Sequence, residues 1–174
     1  MTIETKRLYI VPSTMKDTAD ILKILSDEET MKFFVEGTYV QEQVEGILMK
    51  NEQKVEHYSI VLKETNKVIG KISFHPWFMK RTYEMGWIMN KDFTNQGYMS
   101  EATKAVLKYG FDTLKLHRII ATCQPENIPS KRLCEKLGMR LEGTFRQCIY
   151  VKDNEWWDEL FYAILSDEYK KEMR

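Results

Sequence analysis

A chain of 174 residues has room for about one domain with a sizeable core, expected here as a single domain over 1–174. Its 26 Lys and Arg are matched by 26 Asp and Glu, which argues against a coat for nucleic acid or anionic lipid, and 43% hydrophobic residues argue against wholesale disorder. No apolar run approaches the roughly 20 residues of a membrane span, and three cysteines make no disulfide framework, so a cytoplasmic protein without a membrane partner is expected.

Residues 6–12 read as a first strand, with Leu8 and Ile10 on one face and Pro12 ending it. Residues 17–26 read as a helix carrying Ile21, Leu22, Ile24 and Leu25. A second helix is predicted near Thr38, where Thr38 and Gln41 make a capping-box pattern ahead of Val40, Val44, Ile47 and Leu48. Residues 57–64 and 68–77 read as a hairpin, and 82–90 as the third strand of the meander. A Gly-containing turn after Asp92 then opens a helix from about Ser100 to Leu114. Residues 118–124 form a short apolar strand, and Ser130–Leu137 a helix that stops at Gly138. Two long strands joined at Lys152-Asp153-Asn154 complete the chain, so the class is mixed α/β or α+β.

Two segments have the composition of a site. The turn from Phe93 to Ser100 sits between a strand and a helix start, where unpaired N–H groups attract phosphate and Gly97 lets a ligand approach. It lacks the second Gly and the Lys-Ser/Thr of a nucleotide P-loop, and taken alone it is an ordinary tight turn. The second segment is Asn127 to Met139. Read alone, Asn127 is a turn residue, Ser130 a helix N-cap, and Leu133, Cys134 and Leu137 helix core. No zinc spacing exists among His57, His75, His117 and the cysteines, so no metal is expected.

Taken together, Gln96-Gly97-Tyr98-Met99-Ser100-Glu101-Ala102, Asn127-Ile128-Pro129-Ser130 through Leu137-Gly138-Met139, and the opening Glu4-Thr5-Lys6-Arg7-Leu8 resemble the GNAT superfamily of N-acetyltransferases. The likeness covers nearly the whole chain. It is greatest to the branch of ribosomal-protein N-terminal and spermidine acetyltransferases. It implies a mixed, mostly antiparallel sheet of about seven strands, helices on both faces, and a parallel pair that splays between 82–90 and 118–124. It also implies acetyl-CoA as co-substrate, with no metal, and a homodimer, the state that members of the branch often adopt. Departures stand beside the likeness. Aligned on Gly97, the first position of the family's Gln/Arg-x-x-Gly-x-Gly/Ala turn is Thr94 and the last is Met99. Cys134 takes the place of a frequent Tyr acid, and Ile149 that of a catalytic Glu found in some members.

The resemblance assigns roles residue by residue. Backbone of Trp87, Ile88 and Met89 would hold the pantetheine and supply an oxyanion N–H. Asn95, Gln96, Gly97, Tyr98, Met99 and Ser100 would cradle the pyrophosphate, Asn127 would bond the pantetheine amide, and Lys131 and Arg132 would meet CoA phosphates. Ser130 would be the general acid toward the thiolate. Glu84, on a strand otherwise rich in apolar residues, is the expected general base, its carboxyl raised by burial; the alternative is an exposed residue on a half-wet sheet face. The acceptor would meet the early helices and the final hairpin, through Glu29, Phe33, Phe34 and Tyr150, with Glu28, Glu36, Trp156 and Asp158 also in that set. The expected reaction is acetyl transfer to a primary amine, above all a protein N-terminus of ribosomal type. The alternatives are a small amine (a polyamine or aminoglycoside) and a catalytically silent acetyl-CoA-binding module. No direct nucleic-acid partner is expected.

Overall fold

In the computed structural model, which describes residues 1–172, the alternating segments become strands close to their expected bounds. They are β1 (Ile3–Glu4), β2 (Leu8–Pro12), β3 (His57–Leu62), β4 (Lys67–Pro76), β5 (Thr82–Met89), β6 (Arg118–Cys123), β7 (Arg140–Lys152) and β8 (Glu155–Leu165). The helices are α1 (Thr18–Leu25), α2 (Glu28–Met31), α3 (Gln41–Gln53), α4 (Tyr98–Lys108), α5 (Ile128–Lys136) and α6 (Ser166–Glu172). The strand order is β1-β2-β3-β4-β5-β6-β8-β7. The two-residue β1 brings the count from about seven to eight. The ladders are antiparallel except β5–β6, which runs parallel over Thr82↔Arg118, Tyr83↔Ile119 and Glu84↔Ile120.

The chain gathers into two compact units. The first comprises Met1–Phe74 and Trp87–Val106. Leu8 and Ile10 of β2 are both fully buried, each contributing roughly 1.5–3 kcal/mol of apolar transfer. Ile21, Ile24 and Leu25 of α1, Met31 of α2, and Val44 and Leu48 of α3 form one core with Val68, and Val61 and Ile88 pack against it.

Helix α3 does not start from the expected Thr38 box. Tyr39 N donates to Leu25 O at 2.9 Å and its ring packs on the core, which pins the chain two residues further on. Val40 becomes the exposed N-cap, and its N–H donates to Gln43 Oε1 at 2.9 Å. Valine has no oxygen to return that bond, so only half of a capping box forms.

The second unit comprises His75–Gly86 and the chain from Leu107 onward. Helix α4 begins at Tyr98, two residues before the expected start, and leads into a π-helical turn over Tyr109–Thr113. Phe111 of that turn stacks on Tyr169 at 5.0 Å. The β7–β8 hairpin closes through Asp153 and Asn154, both at positive φ, as a two-residue turn of primed type requires. A bulge interrupts β7 between Phe145 and Ile149. Gln147 takes φ 49° there, and its N–H donates to Asp158 Oδ1 at 2.7 Å.

Candidate active site

The turn ahead of α4 is built by short side-chain bonds. Asn90, buried at the end of β5, accepts from Asp92 N at 3.0 Å and starts a 3₁₀ turn over Lys91–Phe93. Thr94 Oγ1 donates to Lys91 O at 2.9 Å, and Gln96 Nε2 donates to Asp92 O at 3.2 Å. Asn95 and Gly97 both take positive φ, 59° and 77°. Two left-handed residues aim the chain into α4, whose first N–H groups, on Tyr98, Met99 and Ser100, have no carbonyl within the helix to accept them. That is the donor set an anionic phosphate needs.

Arg7 braces this turn. Its Nη1 donates to Gln96 O at 3.0 Å, its guanidinium lies 4.3 Å from the centre of the Tyr98 ring, and its Nε pairs with Glu101 Oε2 at 2.7 Å. Glu101 also accepts from Arg7 N at 2.9 Å and Thr5 Oγ1 at 2.7 Å. Burial pushes the Glu101 carboxyl up, but the bonds from Thr5 and Arg7 outweigh it and hold it below its ordinary value. Arg7, reaching in from just before β2, brings a guanidinium to the turn. Its separation of 89 residues from Gln96 hides it from any local motif. Lys91 is committed elsewhere: it pairs with Asp27, whose carboxyl is pulled to about 2, chiefly by that bond.

In the second unit, Glu84 lies beside Ile120 in the parallel ladder. Trp77 N donates to Thr82 O at 2.9 Å, a register that sets His75 opposite Glu84. Ile120, Phe161 and Ala163 form a small buried cluster on which Trp77 packs, with the Trp77 and Phe161 rings 5.5 Å apart. Glu84 is half-buried rather than an exposed residue of a wet face. Burial pushes its carboxyl up; the nearby His75 opposes that shift and Glu159 adds to it. Nothing in the sequence places His75, Trp77, Glu159 and Phe161 beside Glu84. The only local hint was the strand alternation, which cannot say which strand lies next door.

Asn127 rather than Ser130 caps α5. Its Oδ1 accepts from Ser130 N at 3.2 Å, and Lys131 N donates to Asn127 O at 3.0 Å. The reason is backbone geometry: Asn127 has non-helical φ and ψ of −79° and 70°, whereas Ser130 is already inside the helix. The Ser130 side chain is therefore not the cap, and the Asn127 amide nitrogen keeps two hydrogens for a ligand carbonyl. Lys131 is half-buried and Arg132 exposed on the same first turns. Cys134 is fully buried, and its thiol is pushed up by its bond with Cys123 and by burial, so it is a poor nucleophile.

The expected acceptor residues divide between the two units. Glu29, Phe33 and Phe34 lie on the segment from α2 toward α3; Glu29 pairs with Lys32 at 2.5 Å, and Lys32 Nζ lies 5.3 Å from the centre of the Phe33 ring. Tyr150 is an exposed residue of β7, edge-on to Trp156 at 5.1 Å. Asp158 is occupied by the β7 bulge. Among the described residues no group of three or more metal-ligating side chains converges, and no helix is long and apolar enough to cross a membrane.

Known proteins resemble this chain over most of its length. The family model described as Acetyltransferase (GNAT) domain matches residues 7–140. A Bacillus subtilis protein named uncharacterized N-acetyltransferase YnaD is 46% identical over 170 residues, covering 97% of this chain and 99% of that protein. A crystal structure of a GNAT-family acetyltransferase from Bacillus anthracis superposes with a TM-score of 0.91 at 46% identity, covering 96% of this chain and 99% of that one. The ribosomal-protein-serine acetyltransferase of Escherichia coli is 26% identical over 147 residues, covering 83% of this chain and 74% of that protein. On these matches the chain belongs to the GNAT family of N-acetyltransferases.

Proposed function

We propose that this acyltransferase moves the acetyl group of acetyl-CoA to a primary amine at a protein N-terminus. The observation that carries the reading is Glu84: a half-buried carboxyl raised above its ordinary value, on the same strand whose far end runs into the phosphate-type turn. Acetyl-CoA supplies the activated acyl group as a thioester. The donors that suit its pyrophosphate are the N–H groups from Asn95 to Ser100, with Lys131 and Arg132 as further charges for its phosphates.

The chain's own residues then have four tasks. Glu84, as base, takes a proton from the incoming ammonium, directly or through water; a raised carboxyl is closer in basicity to its task at neutral pH. Backbone along Trp87–Met89 orients the pantetheine and supplies the N–H that steadies the developing oxyanion. Asn127, with its oxygen committed to Ser130 N, donates from its amide nitrogen. Ser130 donates its hydroxyl proton to the departing thiolate. A protein N-terminus as acceptor is supported by the activity named for the Escherichia coli relative. The carboxylate pair Glu84 and Glu159, with Trp77 and Phe161, suits an amine that arrives as a cation.

The test is thiol release from acetyl-CoA against a panel of N-terminal peptides, polyamines and aminoglycosides. Turnover confined to peptides is the expected result. Turnover on polyamines or aminoglycosides alone would replace the acceptor and keep the reaction.

A further inference from the structure

One face of the sheet in the second unit carries a line of aromatic rings. Glu84 of β5 is level with Ile120 of β6 in the parallel ladder. Thr122, two residues further along β6, pairs with Phe161 of β8. Glu159, two residues before Phe161, pairs with Phe145 of β7. Partners across a ladder share a face, and so do alternate residues along a strand. Glu84, Phe161, Glu159 and Phe145 therefore all leave the same face. Trp77 joins them there, because it packs on Ile120, Phe161 and Ala163. The ring centres follow one another at 4.0 Å from Phe78 to Trp77, 5.5 Å from Trp77 to Phe161 and 5.4 Å from Phe161 to Phe145.

The ends of this line differ from its middle. Phe161 is buried and Trp77 half-buried, whereas Phe78 and Phe145 are 79% and 50% exposed. A large apolar side chain laid on Phe145 and Phe161 would take ring surface out of water along with its own. The charge on this face is negative. Glu84 and Glu159 are both half-buried, and among the described residues neither carboxylate accepts a hydrogen bond or holds an ion pair. Arg118, 6.0 Å from the centre of the Phe161 ring, is already paired with Glu142. Carboxylates among aromatic faces attract a cation. A molecule that brings a cation and an apolar side chain on adjacent atoms is the amino end of a polypeptide whose first residue is large and apolar.

We propose that this face is the acceptor subsite and that it selects protein N-termini with a large apolar first residue, such as Met, Leu or Phe. The inference rests on the proposed function and narrows its substrate. Phe145, Phe161 and Trp77 receive the first side chain. Glu159 is a specificity-determining residue, whose charge draws the ammonium toward Glu84.

The experiment follows thiol release by the full chain with peptides that differ only in their first residue. Met, Leu or Phe at that position should give a kcat/KM at least about tenfold above Gly or Ala. Phe145→Ala, which removes an exposed ring, should shrink that ratio. Glu159→Gln should raise the peptide KM about tenfold with kcat little changed. It should also move the acid limb of the kcat/KM profile to lower pH, because a charge that opposes ionisation of Glu84 is gone. Equal kcat/KM for all first residues would overturn this inference and leave acetylation of peptide N-termini standing. An unchanged KM with an unmoved acid limb would overturn the part given to Glu159. Turnover on polyamines with none on any peptide would overturn the proposed acceptor, and this inference with it. A dimer by light scattering that dissociates in Phe145→Ala would assign the rings to a second copy of the chain and overturn the subsite.

Discussion

Glu101 and Glu84 are the same side chain in opposite situations. Glu101, at the start of α4, accepts from a threonine hydroxyl, a backbone N–H and a guanidinium, and its carboxyl falls below the ordinary value despite burial. Glu84, in the middle of β5, has burial and a second carboxylate against ionisation and only His75 in favour, and its carboxyl rises. The first cannot easily give up its charge and so serves as a fastener. The second gives up its proton less readily than an ordinary carboxyl, which suits the base role proposed for it. Charge environment, not residue type, separates the fastener from the proposed base.

The sharpest way to break that comparison is Glu84→Gln. The amide keeps the shape and loses the base, so kcat should fall ~10²-fold or more while the affinity for acetyl-CoA stays within about twofold. Stopped thiol release and calorimetry read the two quantities. A full-speed variant would leave Glu84 as scaffold, like Glu101.

Glu101→Ala should have its main effect on stability. It strands Arg7 and frees the turn, at a cost of about 2 kcal/mol in urea unfolding, already discounted because the Arg7 side chain is more than a third exposed. The KM for acetyl-CoA should rise with kcat little changed, because Gln96 loses its brace. A smaller effect is expected of Asn127→Ala, about 1 kcal/mol from the lost cap of α5. Ser130→Ala should slow turnover in the thiol-release assay while keeping the cap of α5, which uses the Ser130 backbone N–H and not its hydroxyl.

The finest distinction is the pH dependence of stability, whose sign differs for the two carboxylates. The Glu101 carboxyl is lowered in the fold, so its contribution is full above the ordinary 4.5 and is lost as pH falls through its folded value. Glu84 is raised, so its protonated form costs nothing below 4.5, and the fold loses stability as pH rises through the folded value. Measured against the wild type, the deficit of Glu101→Ala should therefore shrink in acid, whereas Glu84→Gln should gain stability at neutral pH and match the wild type in acid. Parallel curves for the two variants would contradict the assignment.

Much of this protein is legible locally. Alternation placed Leu8 and Ile10 in one buried face, a 3.6-residue period placed Val44 and Leu48 in another, and Gly138 stopped α5 at positive φ. These features depend on neighbours within a turn or two of the chain, so residue order alone determined them, and with them the Gly97 turn, the Asn127–Ser130 segment and the family. Choices between adjacent candidates escaped it. Thr38 and Val40 each precede a glutamine by three residues, and the bond from Tyr39 N to Leu25 O selected the second. Asn127 and Ser130 both favour caps, and backbone dihedrals selected Asn127.

What only the tertiary structure decided are the partners that arrive from far along the chain. Arg7 meets Glu101 across 94 residues, and Glu84 meets Glu159 through two intervening strand pairings. Proton affinity depends on desolvation and on charges within a few ångströms. Both are properties of packing, so the sequence names the groups that can carry the chemistry and the fold sets which of them are able to.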